Sequence, residues 1–169
     1  MSGAIILILL IVGFFIIRTI YKFRNELKED NDELKKQSLE DMFSYLIDGL
    51  NEYCYLGHGE ITKIGKQTLN IYKQSSCQII NLLYGTGILT ITWKFKYYQQ
   101  EMIYKRNLSD ARKPSIEWQK NALNLVISEF LEEYQKHEEK VISSGIIKEI
   151  LSDSNISEEN YKKAKDFLK

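Results

Sequence analysis

Two cysteines and two histidines have the side chains that most often bind zinc. Cys54 and His58 lie four residues apart, and Cys77 with His137 would complete a four-ligand set. Structural zinc sites normally use two close ligand pairs, whereas Cys77 and His137 are 60 residues apart. We therefore expect a buried free cysteine and a loop histidine, and the sequence predicts no metal and no other cofactor.

Catalytic groups are present only in unspecific spacings. A cysteine activated by His58 would be a possible nucleophile, but no neighbouring residue is placed to orient the imidazole. Glu60, Lys63 and Glu101 are the acidic and basic residues that a metal-dependent nuclease would need on adjacent strands. No catalytic residue is predicted from these patterns. A hydrolase or nuclease with an unrecognised site stays open as the alternative to a non-catalytic protein.

Aromatic and basic residues alternate between residues 93 and 106. Single-stranded nucleic-acid binders combine stacking rings with a cationic groove. Along one strand, however, Trp93 and Phe95 lie on the opposite face from Lys94 and Lys96, because successive side chains point to opposite faces. The rings are therefore expected in the core, and the pattern does not favour nucleic-acid binding, which is kept as an alternative.

The charge of the chain is segregated although its net charge is zero. Residues 26–52 carry a net charge of −6, residues 53–113 carry +6, and residues 114–169 carry −3. Either acidic helices neutralise a basic sheet within one domain, or a basic face is left open to an anionic partner such as anionic lipid. The candidate face consists of Lys94, Lys96, Lys105 and Arg106.

The first 17 residues contain no charged side chain. Of the thirteen residues 5–17, twelve are Ile, Leu, Val or Phe. Such a run is typical of a transmembrane helix, which needs about 20 apolar residues. We predict an uncleaved signal-anchor over residues 1–23 and a charged helical stalk over residues 24–38. The anchor residues are Ile5, Leu9, Val12, Phe15, Arg18, Lys22 and Arg24. Because the basic residues follow the run, a single-pass topology is expected, with the N-terminus outside and the domain in the cytoplasm.

The remaining chain has the pattern of an α+β domain over residues 39–142, followed by a C-terminal helical segment over residues 143–169. Apolar residues recur at helical spacing from Leu39 to Tyr53, and alternation at a period of two predicts strands in the middle third. The alternation loses phase at residues 98–100, which predicts a turn or bulge between two strands. Ser115 is the predicted N-cap of a long helix. We expect an antiparallel sheet of three to five strands.

These observations predict a membrane-anchored, non-catalytic binding or scaffolding module. The expected partners are the membrane and a protein of unidentified kind, with anionic lipid as a further candidate for the basic face.

Overall fold

The computed structural model describes residues 2–98 and 100–144 of the chain, and it describes the side chains of residues 8, 10–30, 32–98 and 100–144. Its elements are α1 (Ser2–Lys36), α2 (Leu39–Met42), α3 (Ser44–Tyr55), β1 (Glu60–Lys63), β2 (Thr68–Tyr72), β3 (Gln78–Gly85), β4 (Ile88–Tyr97), β5 (Gln100–Leu108) and α4 (Ile116–Ser143). Beyond residue 144, the predicted C-terminal segment lies outside the described residues.

The five strands form one antiparallel sheet in the order β1-β2-β3-β4-β5. This confirms the predicted α+β class and the antiparallel sheet. The predicted break in alternation is also confirmed, since β4 ends at Tyr97 and β5 begins at Gln100. Tyr98 has a φ of 46°, in the left-handed region that tight hairpin turns require.

Helices α3 and α4 pack against one face of the sheet. The core contains aliphatic residues of β2, β3 and β4 together with Phe43, Leu46 and Ile47. The rings of Trp93 and Phe130 stack with a centroid separation of 3.6 Å and an interplanar angle of 7°. The other face of the sheet is not covered by any described helix, so its side chains are available for contacts.

The predicted cap of the long helix is confirmed. Ser115 has an extended backbone, and its hydroxyl accepts a hydrogen bond from the backbone N–H of Trp118 at 3.1 Å. This bond satisfies one of the free N–H groups at the start of α4. Gln119, one turn into the helix, accepts from the backbone N–H of Leu46 and thereby joins α4 to α3.

The predicted transmembrane anchor is not supported. Within residues 2–98 and 100–144, none of the helices combines the length and the hydropathy that a membrane-spanning segment requires. Among the described side chains of α1, Arg18 interrupts the uncharged run, and Lys22 and Arg24 follow in the same helix. That run is shorter than the about 20 residues a spanning helix needs. The predicted single-pass membrane topology is therefore wrong, because it requires a spanning helix. Of the predicted anchor residues, Ile5 and Leu9 have side chains outside the described set, and Val12 and Phe15 are exposed.

The charged segment that we predicted as a separate stalk is the second half of the same helix, and it is not fully solvated. Asp30 is 0% exposed, and Leu34 is also buried. Asp30 contacts the β3–β4 hairpin and the loop after β5. The end of α1 is therefore part of the packed domain.

Candidate functional site

The uncovered side of the sheet, here called the open face, is formed by alternate residues of each strand. Register places Lys94 between Ile79 of β3 and Ile103 of β5 in one row across the sheet. The next row contains Asn70, Asn81, Thr92 and Lys105. The open face therefore mixes cations, amides, hydroxyls and exposed aliphatic groups.

One end of the open face forms a shallow depression of about 380 Å³. The turn between β2 and β3 forms one wall, and Lys94, Lys96 and Glu101 lie along the other. We call it the basic depression, and it is lined by Tyr72, Lys73, Gln74, Ser75, Ser76, Cys77, Gln78, Ile79, Lys94, Phe95, Lys96 and Glu101. Three ammonium groups and one carboxylate thus border one concave surface.

The lysines of the basic depression form no salt bridge within the described chain. In residues 2–98 and 100–144, no carboxylate oxygen lies within 4.0 Å of the Nζ atom of Lys73, Lys94 or Lys96. By contrast, Lys63 pairs with Glu40 at 2.7 Å. Glu101 lies opposite Lys96 in the strand pairing and borders the same depression, so three lysines and one carboxylate leave an excess of positive charge on this surface.

The four residues predicted as a basic face do not all share one surface. Lys94, Lys96 and Lys105 are exposed on the open face. Arg106 lies on the helix-covered face, where its Nη1 is 3.2 Å from Glu129 of α4. The separation follows from strand geometry, because residues 105 and 106 are adjacent and must point to opposite faces.

The acidic residues of α4 lie across the sheet from the basic depression. Glu129 accepts a hydrogen bond from the hydroxyl of Tyr104 at 2.8 Å and also pairs with Arg106. Glu138 accepts from the hydroxyl of Tyr97 at 3.1 Å. These carboxylates therefore have their hydrogen-bond and ion-pair partners on the covered face. They do not neutralise the charges of Lys94 or Lys96.

The aromatic residues of β4 face α4, as the strand parity predicts. Trp93 is 1% exposed and stacks on Phe130. Phe95 and Tyr97 make edge contacts with Tyr134 of α4. The expectation that these rings belong to the core is confirmed for Trp93, and the open face offers no comparable row of rings among the described residues.

The cysteines and histidines considered as ligands or nucleophiles are not assembled. Cys54 is partly buried, and burial raises the pKa of its thiol to about 12, which disfavours the thiolate at neutral pH. Cys77 is exposed in the basic depression. Nε2 of His137 lies 3.3 Å from the carbonyl oxygen of Gln100. Within the described ranges, no group of three or more His, Cys, Asp or Glu residues could hold a metal ion.

The carboxylates considered for a nuclease site lie on opposite edge strands. Glu60 is on β1 and Glu101 is on β5, with three strands between them. Four inter-strand spacings separate the two residues by about 19 Å. Lys63 is engaged by Glu40 on a different element. These groups therefore cannot act together on one metal ion or one substrate atom.

Sequence reasoning missed Lys73 and the turn that follows it. Lys73 lies just beyond β2, and the turn at residues 74–77 brings it beside Lys94 and Lys96 of β4. Ser75 adopts a left-handed φ of 68° in this turn. No local signal identifies the contact, because it depends on which strands are neighbours.

Comparison with known proteins gives no relative from which a function could be transferred: no family model, no curated protein and no solved structure matches this chain.

Proposed function

We propose that this protein is a non-catalytic binding module whose basic depression binds an acidic segment of a partner protein. The observation that carries the proposal is the grouping of Lys73, Lys94 and Lys96 around one depression, where Glu101 is the one acidic lining residue and no salt bridge to a carboxylate of the described chain is formed. Unpaired cations on one surface attract an anionic partner and increase its rate of association.

The apolar residues beside the lysines favour a polypeptide partner. Ile79 and Ile103 flank Lys94 in the same row, and Ile103 is 56% exposed. Protein interfaces combine such apolar contacts with a polar rim. An extended acidic peptide with aliphatic residues would place both kinds of side chain on this surface.

Two other anionic partners are less well matched by the described surface. A single-stranded nucleic acid would need rings for base stacking, and Trp93, Phe95 and Tyr97 face α4 instead. Anionic lipid would use the charges of Lys94 and Lys96 but not the adjacent concave turn. Both partners are outcomes of the experiment below.

The test measures binding of a fluorescein-labelled peptide composed of Glu and Leu to the full chain by anisotropy. A peptide with Lys in place of Glu is the ligand control. We expect saturable binding of the acidic peptide that weakens as salt is added, because the attraction between exposed charges is screened. The Lys94→Glu/Lys96→Glu variant should bind at least about tenfold more weakly, since each charge contributes on the order of 1 kcal/mol.

The matched control is Lys66→Glu/Lys113→Glu, which makes the same charge change at two exposed lysines outside the depression. This variant should keep nearly full affinity. Equal loss in both double variants would mean that net charge, and not the depression, governs binding. Preference for a single-stranded oligonucleotide or for phosphatidylserine vesicles over the acidic peptide would overturn the proposed partner class.

A further inference from the structure

No strand of residues 2–98 and 100–144 pairs with the outer edge of β5. Within these residues β5 is the last strand of the sheet, and its one neighbour is β4 on its inner side. Glu101, Ile103 and Lys105 are exposed on its open-face side. An uncovered edge strand presents unpaired N–H and C=O groups that can hydrogen-bond with another chain.

The turn geometry identifies which backbone groups of β5 are free. Tyr97 and Gln100 are the last pair of the β4–β5 ladder and lie three residues apart, so the N–H of Gln100 bonds to the C=O of Tyr97. Bonded and non-bonded pairs alternate along an antiparallel ladder. The backbone groups of Glu101, Ile103 and Lys105 are therefore directed away from β4, toward the outer edge.

The side chains of this edge are complementary to themselves. If two β5 strands pair antiparallel about Ile103, each Glu101 lies opposite the partner's Lys105, and Ile103 lies opposite the partner's Ile103. Every such pair places outward backbone groups opposite each other, so that each pair exchanges two hydrogen bonds. Opposite charges in directly facing positions stabilise a strand pair.

Neighbouring registers lack this complementarity. Pairing about Lys105 would bring two lysines face to face, which is destabilising. Pairing about Tyr104 would place Ile103 against the partner's Lys105 and Glu101 against the partner's Asn107, so no pair of opposite charges would form between the two chains. The charges therefore select the register centred on Ile103.

On the covered side of β5, Glu129, Glu132 and Glu133 of α4 border the same stretch of the strand. Arg106 and the partner's Gln100 lie opposite each other in this register.

We propose that the chain forms a two-fold symmetric dimer through its β5 edges, with the partner being a second copy of this chain. A two-fold axis at Ile103 joins the two five-stranded sheets into one continuous sheet. The interface is isologous, so each Glu101–Lys105 contact occurs twice. Glu101 borders both the basic depression and this edge, but the lysines that carry the proposed peptide binding, Lys73, Lys94 and Lys96, are not part of the edge.

The register is tested by disulfide cross-linking of the full chain in a Cys77→Ser background. Ile103→Cys would place two thiols in a directly paired position, with a Cα separation of about 5.5 Å that suits a disulfide. Asn107→Cys is the matched control on the same face and strand, because its two copies would be about 27 Å apart. We expect oxidation to cross-link the residue-103 variant efficiently and the residue-107 variant only at background level.

Charge reversal then tests the pairing itself, measured by sedimentation velocity over a range of concentrations. Glu101→Lys and Lys105→Glu should each weaken dimerisation about tenfold or more, because like charges then face each other. The double variant restores opposite charges and should restore the wild-type dissociation constant. Equal cross-linking at residues 103 and 107, unchanged dimerisation in the single variants, or no recovery in the double variant would overturn the proposal.

Discussion

Adjacent side chains on one strand lie on opposite faces of the sheet and have different partners, and Lys105 and Arg106 are an example. Lys105 is exposed on the open face, whereas Arg106 pairs with Glu129 on the covered face. Both are basic, so composition alone cannot separate them. Strand parity does, once the register with β4 is known.

The two cysteines differ in burial, and this difference allows a prediction at the residue scale. Burial raises the pKa of the Cys54 thiol to about 12, whereas Cys77 is exposed in the basic depression. Because the thiolate is the reactive form, maleimide at neutral pH should modify Cys77 first and Cys54 only on unfolding. Mass spectrometry of the modified peptides measures both rates.

The control for this prediction is Cys77→Ser, which should lose the fast modification in the native protein and keep one slow site. Rapid modification of Cys54 in the folded Cys77→Ser variant would contradict the assigned burial. If the proposed acidic peptide binds in the depression, it should also slow modification of Cys77.

At the scale of elements, the end of α1 is held by a polar cluster around Asp30. Its carboxylate accepts from the hydroxyl of Tyr84 at 3.3 Å and from the backbone N–H of Gly87 at 3.3 Å, and it lies 3.4 Å from Nε of Arg112. Glu33 accepts from the same tyrosine hydroxyl at 3.2 Å. One buried carboxylate thus connects a helix, a hairpin and a loop.

We predict that Asp30→Ala lowers the free energy of unfolding by about 3 kcal/mol, because it leaves the partners of a buried carboxylate unsatisfied. Urea denaturation monitored by circular dichroism measures the change. Glu29→Ala is the matched control, since its side chain is 63% exposed although it lies 2.9 Å from Nη1 of Arg112. This control should cost less than about 1 kcal/mol. Equal costs for the two variants would show that Asp30 does not join α1 to the sheet.

At the scale of the whole molecule, the sheet lies between the lysines of the basic depression and the carboxylates of α4. Lys94 and Lys96 lie on the open face, while Glu129 and Glu138 of α4 lie on the covered face with tyrosine and arginine partners. The zero net charge of the chain therefore does not describe either surface. The arrangement also buries phenol groups that belong to α3, β3 and β5.

Burial of these phenols predicts that the fold weakens at alkaline pH. Burial raises the pKa of Tyr55 and of the Cys54 thiol to about 12, and it also raises the pKa of Tyr84 and Tyr104, which have carboxylate neighbours. Between the ordinary pKa values, near 9 to 10, and the raised ones, the folded state holds more protons than the unfolded state. The free energy of unfolding should therefore be constant up to about pH 9 and fall as the pH rises further.

Urea denaturation at a series of pH values from 8 to about 11 measures this dependence. Tyr104→Phe removes one of the contributing phenols, so it should reduce the slope although it loses the hydrogen bond to Glu129. Tyr45→Phe, at a ring that is 40% exposed, is the control for replacing a tyrosine. A stability that does not fall above pH 10 would contradict the burial of these groups.

The sequence by itself determined the features that depend on local periodicity and capping. Alternation from Leu89 to Tyr97 set the two faces of β4, loss of phase marked its end, and Ser115 marked the start of α4. Each of these is decided by neighbours within a few residues, which is why α+β class and antiparallel pairing could be predicted. The N-terminal apolar run was the exception, since the prediction of a spanning helix was not supported among the described residues.

Only the tertiary structure decided which distant residues meet. It brought Lys73 beside Lys94 and Lys96, buried Asp30 against a hairpin more than 50 residues away, and directed Arg106 to Glu129. Strand order, register and helix placement fix these contacts, and they are set by the packing of the whole core rather than by any local pattern. For that reason the basic depression and the outer edge of β5 could be identified only from the tertiary structure.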